Sequence, residues 1–175
     1  MFLVLGVGAG AVYAAIGLGL VLTWRASRVV NFAHGAMAMY ATYVFVELRV
    51  AGDLILPVVG IPARVHLAPS VAFFPALVVA TAVAGALGLA VHGLVFRPLA
   101  RAGPLARVVA SVGLMVALQA VVTLNVGSTD RPIAAVLPAA PLRLWGMVMP
   151  RDRLYLAAVV VVAAGILTTV YRRSR

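Results

Sequence analysis

The sequence predicts an all-α, polytopic membrane protein with about five transmembrane helices, its N-terminus outside and its C-terminus in the cytoplasm. Of the 175 residues, 65% are hydrophobic and only 10% are charged, whereas soluble domains carry about 25% charged residues. Several apolar stretches are long enough to cross a hydrocarbon core, which takes about 20 helical residues. The charged residues fall between these stretches or near their ends, which is the arrangement expected at a membrane surface.

The predicted spans belong to a single transmembrane domain over residues 1–175. They cover about 2–23, 33–50, 71–96, 108–126 and 154–171. The first span is interpreted as a membrane helix and not as a cleavable signal, because no basic residue precedes it. Its apolar run also exceeds the roughly 7–15 residues of a signal-peptide core.

The orientation follows from the placement of arginine, since short cytoplasmic loops are enriched in positive charge. One set of flanks carries eight arginines and no acid: Arg25, Arg28, Arg97, Arg101, Arg107, Arg172, Arg173 and Arg175. The opposite flanks carry six arginines and all four acids. The first set is therefore predicted to be cytoplasmic. The net charge of +10 is explained by these loops, so no nucleic-acid partner is predicted.

Two proline-rich segments lie on the predicted outer side. Residues 51–70 are expected to form an irregular or re-entrant loop, because their apolar middle, Leu54 to Ile61, is short and broken. In the second segment, 127–153, the stretch from Leu142 to Val148 is predicted to form a short extended hairpin. Its Trp145 suits the aromatic belt at the membrane interface. The cytoplasmic segment from Arg97 to Arg107 is interpreted as a basic loop.

Small residues in the first span indicate close helix packing. Gly6 and Gly10 form a G-x-x-x-G pair, and Gly19 extends the small residues along the helix. The stretch from Gly6 to Ala11 also fits a loose dinucleotide fingerprint. That fingerprint needs a following helix with one polar face, but the residues up to Thr23 are apolar on every side.

Several kinds of chemistry are excluded or disfavoured. The chain has no cysteine, which excludes disulfides and thiolate ligands. The histidines, His34, His66 and His92, share no metal-ligand spacing, so no metal site is predicted. All four acids lie on the predicted outer side and none lies deep in a span, which disfavours a proton-driven carrier. No Ser/His/Asp grouping lies at one membrane depth, and no catalytic residue is predicted.

A few polar residues within spans have two open interpretations. Gln119 lies near the middle of the fourth span, with Ser111 before it and Thr123 after it. Each is interpreted either as an interhelical hydrogen-bonding residue or as part of the lining of a transport path.

The stretch from Val29 to Gly35 concentrates polar and small residues where the second span begins. Asn31 is predicted to cap the helix by accepting a backbone N–H, and Gly35 to present a small face to a neighbouring helix. Neither role explains His34. Its structural and functional interpretations stay equally open, and Asn31, His34 and Gln119 are the candidates for a transport path or gate.

These stretches together resemble the permeases of branched-chain amino acid ABC transporters, of the type of the first permease subunit of the high-affinity leucine importer. The resemblance runs in order along the chain through the segments 10–19, 29–35, 96–101, 109–113, 118–119 and 171–175. The run Asn31-Phe32-Ala33-His34-Gly35 is the most specific of them.

The resemblance implies an importer in a bacterial inner membrane, built from two permease subunits, two cytoplasmic ATPases and an external substrate-binding protein. ATP would be hydrolysed on the partners, and no cofactor is expected on this chain, which has no phosphate-binding motif of the G-x-x-x-x-G-K-[ST] type. Family members continue well beyond the arginines at 172–175, so the chain is expected to be an N-terminal portion. The alternatives are a secondary carrier or channel for small polar solutes, or a non-transporting membrane fragment.

Overall fold

The computed structural model describes residues 2–27, 30–57, 64–127, 141–144 and 147–173. Its α-helices in these ranges are α1 (Phe2–Ser27), α2 (Ala33–Val50), α3 (Phe73–Val91), α4 (Pro104–Val126) and α5 (Arg151–Arg173). Its strands are β1 (Asp53–Ile55), β2 (Arg64–His66), β3 (Pro141–Leu144) and β4 (Met147–Pro150). A π-helix, His92–Phe96, continues α3, and a 3₁₀-helix, Pro98–Arg101, follows it.

Each of the predicted helical segments overlaps one of these α-helices, so the mostly helical architecture is confirmed. Two helical segments, Phe73–Phe96 and Pro104–Val126, are long and apolar enough to cross a membrane by length and composition. Shorter apolar helical stretches cover Ala9–Arg25 and Ala157–Val170. The count of five spans, their orientation and the single domain over 1–175 stay predictions.

The predicted basic loop from Arg97 to Arg107 is wrong in its second half. Arg101 ends the 3₁₀-helix, and α4 already begins at Pro104, so that Arg107 lies within α4. Gly103 is the N-cap and Pro104 the first helical residue. Proline suits that position because its missing N–H needs no partner there and its φ is already helical.

The described residues form two compact units. The first unit comprises Met1–Leu22 and Pro132–Arg175. In it, β3 and β4 form an antiparallel hairpin that pairs Leu142 with Met149 and Leu144 with Met147, as predicted for this segment. Trp145 lies outside the described residues, so its place in an aromatic belt is untested.

The second unit, Thr23–Arg131, is built around α2. Tyr40, Val44 and Leu48 recur every four residues on one face of α2 and are fully buried. They form a core with Ile55 of β1 and with small or β-branched residues of the flanking helices: Ala76 and Ala80 of α3, and Val122 and Val126 of α4. Alanines at the contact let the helix backbones approach closely.

At both ends of the expected irregular or re-entrant loop after α2, the described residues instead form two paired β-strands. β1 and β2 pair antiparallel, with Asp53 opposite His66 and Ile55 opposite Arg64. The hydroxyl of Tyr40 donates to the Ile55 carbonyl oxygen at 2.6 Å and ties the hairpin to α2. Residues 58–63, which include the second half of the apolar middle of the predicted loop, lie outside the described ranges.

Gly52 sets the entry into this hairpin. Its φ is +68°, and a β-carbon there would overlap the carbonyl oxygen of Ala68. Its own carbonyl accepts the backbone N–H of Leu67 at 2.9 Å. Glycine is required because only a residue without Cβ combines this left-handed φ with so close an approach of the backbone.

Candidate functional site

Asn31 caps the start of α2, as predicted. Its side-chain oxygen accepts the backbone N–H of Ala33 at 3.0 Å, and its carbonyl oxygen accepts the N–H of His34 at 3.3 Å. Phe32 already has helical angles, φ −68° and ψ −22°. The side chain of Asn31 therefore serves a donor that the first turn leaves unpaired.

Ser111 of α4 completes this cap. It is fully buried, and its hydroxyl oxygen accepts the backbone N–H of Phe32 at 3.3 Å. The same hydroxyl donates to the Val108 carbonyl oxygen at 2.8 Å. For Ser111 the structure supports the interhelical hydrogen bond over the lining of a path.

A cavity of about 460 Å³ lies beside this cap, within the second unit. Its walls come from the end of α1, the start of α2, the end of α3 with its π-helix, the 3₁₀-helix and α4. The polar lining residues are Thr23, Asn31, His34, His92 and Arg107, and the others are Val30, Met37, Gly88, Val91, Phe96 and Ala100. The fold thus brings together Asn31, His34 and Arg107, and it adds His92, which has no metal-ligand spacing to the other histidines in the sequence.

Arg107 is held in the cavity wall by the 3₁₀-helix. Its Nε donates to the Leu99 carbonyl oxygen at 3.1 Å, and its Nη2 donates to the Ala100 carbonyl oxygen. A guanidinium has five N–H donors, so these two bonds fix its position and leave others for a ligand.

The other polar side chains that line the cavity also offer hydrogen-bond donors. Within the described part of the chain, the imidazoles of His34 and His92 make no hydrogen bond. None of the residues that line the cavity is acidic. In these same ranges, no three His, Cys, Asp or Glu side chains cluster as metal ligands would. The cavity can therefore accept a negatively charged or hydrogen-bond-accepting group.

Gln119 does not line this cavity. It lies on an exposed face of α4. Its backbone carbonyl oxygen accepts a hydrogen bond from the Thr123 hydroxyl at 2.9 Å. Of the predicted basic residues, Arg97 and Arg101 are exposed and also lie outside the cavity lining.

The predicted packing glycines have open surroundings. No atom lies within 4 Å of a β-carbon built at Gly6, Gly10 or Gly35. Gly19 is half-buried. A helix that packs on the first three must therefore come from outside the described residues, and the packing role of all four stays a prediction.

The sequence reading missed an ion-pair network at the other end of α2. Glu47 is buried, and its carboxylate lies 3.3 Å from Nη1 of Arg64. The same Arg64 nitrogen lies 3.6 Å from Asp53, whose other oxygen lies 2.7 Å from Nδ1 of His66. Arg64 also donates to the Asn125 carbonyl oxygen, so one side chain links α2, the hairpin and α4.

A signal for this network was present in the sequence. Asp53, Arg64 and His66 flank a proline- and glycine-punctuated segment, as paired strands of a hairpin do. The link to Glu47 had no such signal, because it depends on the packing of the hairpin against α2.

The amino-acid sequence of this chain is similar to those of membrane transport proteins. Residues 2–175 match the family model of the branched-chain amino acid transport system permease component. The chain is 28% identical over 137 residues to the high-affinity branched-chain amino acid transport system permease protein BraD of Pseudomonas aeruginosa, with 78% of this chain and 41% of that protein covered. It is 30% identical over 125 residues to the corresponding protein LivH of Escherichia coli K12, with 71% and 38% covered.

The LivH protein of Salmonella typhimurium is similar at 29% identity over 125 residues, with 71% of this chain and 38% of that protein covered. The chain thus spans about two fifths of the length of the curated relatives it matches. No solved structure matches it.

Proposed function

This chain belongs to the branched-chain amino acid transport system permease family, and on that premise we propose that it forms a membrane-spanning permease subunit of an ATP-binding cassette importer for branched-chain or related amino acids. The observation that carries the proposal is the match to the permease family model over residues 2–175. The apolar helices Phe73–Phe96 and Pro104–Val126 support it, because their length and composition suit a bilayer.

The proposed assembly contains a second permease subunit, two cytoplasmic ATPases and an external substrate-binding protein in a bacterial inner membrane. ATP hydrolysis takes place on the ATPases, and this chain contributes no catalytic residue. The proposed topology has five spans, with the N-terminus outside. The arginine distribution supports it, since Arg25, Arg97 and Arg101 then lie on the cytoplasmic side.

The proposed translocation path follows the face of α4 that carries Gln119. An amide side chain is costly against lipid, yet Gln119 is exposed in the middle of an apolar helix. A neighbouring subunit or a hydrated path across that face removes the cost. The proposed path also has a gate at the cytoplasmic end of α2, and Asn31 and His34 are its proposed residues.

The test is uptake of radiolabelled leucine by bacterial cells that express the chain together with its importer partners. We expect accumulation that depends on both the ATPases and the external binding protein. Accumulation that persists without the ATPases would instead identify a secondary carrier or channel. Stable membrane insertion without any binding-protein-dependent uptake would identify a membrane fragment that does not transport.

A further inference from the structure

We propose that the cavity between α2, the π-helical end of α3 and the start of α4 binds the phosphodiester headgroup of an anionic phospholipid. The inference rests on the proposed topology, which puts this cavity at the cytoplasmic membrane surface, and not on transport of a particular solute. It can therefore fail while the proposed function stands, and the reverse also holds.

The polar lining favours an anion over the zwitterion of an amino acid. Arg107 is a cation, the imidazoles of His34 and His92 each offer an N–H donor, and no carboxylate among the lining residues is present to bind an ammonium group. The Asn31 side-chain oxygen already accepts the N–H of Ala33. A phosphodiester needs only donors, and Arg binds phosphate oxygens through its planar N–H fork.

The donors come from three separate elements, and the guanidinium of Arg107 is held in place before a ligand arrives. Arg107 is fixed by the carbonyl oxygens of Leu99 and Ala100. His92 begins the π-helix, which closes through the N–H of Arg97 on the His92 carbonyl oxygen at 2.8 Å. Fixed donors lose little conformational freedom on binding, which favours affinity.

The apolar lining suits the stem of a lipid. Met37, Val91 and Phe96 form part of the wall, and Val30 remains 37% exposed. The same segment of α3 and its π-helix presents Leu89 and Leu94 to its surroundings, as a surface in contact with acyl chains does. Basic pockets between helices at the cytoplasmic membrane surface are a recognised mode of binding to anionic headgroups.

The experiment measures lipid retained by the purified chain. The 175-residue chain is solubilised from membranes that contain phosphatidylglycerol and phosphatidylcholine and is washed in about 0.5 M NaCl, which screens diffuse surface attraction. Bound lipid is counted by native mass spectrometry. We expect the wild-type chain to retain phosphatidylglycerol in preference to phosphatidylcholine.

The variants separate the cavity from the basic surface around it. Arg107→Gln is expected to retain about fivefold less phosphatidylglycerol, since one arginine at an anionic surface contributes about 1 kcal/mol. The double variant His34→Ala/His92→Ala is expected to lose a similar amount, and it leaves the bonds from Arg107 to the 3₁₀-helix intact. The matched controls Arg97→Gln and Arg101→Gln remove exposed arginines outside the lining and are expected to retain the wild-type amount.

Three outcomes would overturn the proposal. The first is equal retention of the two lipids by the wild-type chain. The second is equal loss in the cavity variants and in the control variants. The third is displacement of the lipid by about 20 mM inorganic phosphate, which would assign the cavity to a small anion, because a lipid held also by its stem resists such competition.

Discussion

The backbone N–H of Phe32 donates to the hydroxyl oxygen of Ser111 at 3.3 Å, and this bond joins the start of α2 to α4 across 79 positions in the sequence. Together with the bond from Ala33 to the Asn31 side chain, it satisfies two of the donors that the first turn of a helix leaves open. The cap of α2 is therefore shared between a local residue and a distant one.

The variant Ser111→Ala is expected to lower the stability of the chain by about 1–2 kcal/mol, because it leaves the N–H of Phe32 without its acceptor in a part-buried position. Thermal unfolding of the detergent-solubilised chain measures the effect. The control is Thr123→Ala in the same helix, which removes an exposed bond within one helix and should change stability little. Equal stability of the two variants would contradict a shared cap.

The ion pair between Glu47 and Arg64 is expected to act as a unit. Arg64→Gln should cost about 2 kcal/mol by leaving the buried carboxylate poorly compensated. This is less than the roughly 3–5 kcal/mol of a fully buried pair, because the Arg64 side chain is 35% exposed. Glu47→Gln in the Arg64→Gln background should then cost less than it does in the wild type.

A double-mutant cycle of these variants measures the coupling. His66→Ala serves as the control, because that side chain is 63% exposed and pairs with Asp53 and not with Glu47 or Arg64. Additive effects of Glu47→Gln and Arg64→Gln would show that the two side chains do not interact.

The sequence predicts well the features that depend on residues close together along the chain. The cap by Asn31 depends on the residues that follow it, and the β3–β4 hairpin depends on a short turn, so both follow from local patterns. The apolar spacing also located the helices. The predicted start of α4 at residue 108 is too late, because the prediction rests on the apolar run, whereas Gly103 and Pro104, which precede that run, are the signals that begin the helix.

Features set by contacts between elements were missed. The meeting of His34 with His92 in one cavity depends on how α2 packs against α3, and the partner of Ser111 is on another helix. No pattern along the chain fixes such contacts, since each requires the relative rotation of two helices to be known. The buried Glu47 belongs to the same class.

Gly52 is expected to tolerate no side chain. Gly52→Ala should destabilise the hairpin by more than about 2 kcal/mol, because φ of +68° is strained for alanine and its β-carbon would meet the Ala68 carbonyl oxygen. The control Gly85→Ala places a methyl group in open space on α3 and should be neutral or stabilising by up to about 1 kcal/mol. Unfolding midpoints of the two variants decide the matter, and a tolerated Gly52→Ala would refute this backbone conformation.

The proposed topology predicts opposite accessibility at two exposed positions. Ser70→Cys should react with a membrane-impermeant maleimide in intact cells, whereas Gly103→Cys should react only after the membrane is permeabilised. The native chain has no cysteine, so each label reports one site. Both residues are exposed, and a β-carbon at Gly103 meets no atom within 4 Å. A reversed pair of results would invert the orientation.

His34 is expected to affect transport as part of the proposed gate at the start of α2, which the proposed topology places on the cytoplasmic side. It is half-buried at the cavity and, within the described residues, its imidazole bonds to no other side chain, so His34→Ala should leave the fold intact. When the chain is co-expressed with its importer partners, we expect this variant to slow leucine uptake by roughly fivefold, equivalent to about 1 kcal/mol. The control is Thr42→Ala, which removes an exposed bond to the Ala38 carbonyl oxygen in the same helix. The amounts of the variants in the membrane are matched by immunoblot. Unchanged uptake in His34→Ala would show that the segment from Asn31 to Gly35 serves only to start the helix.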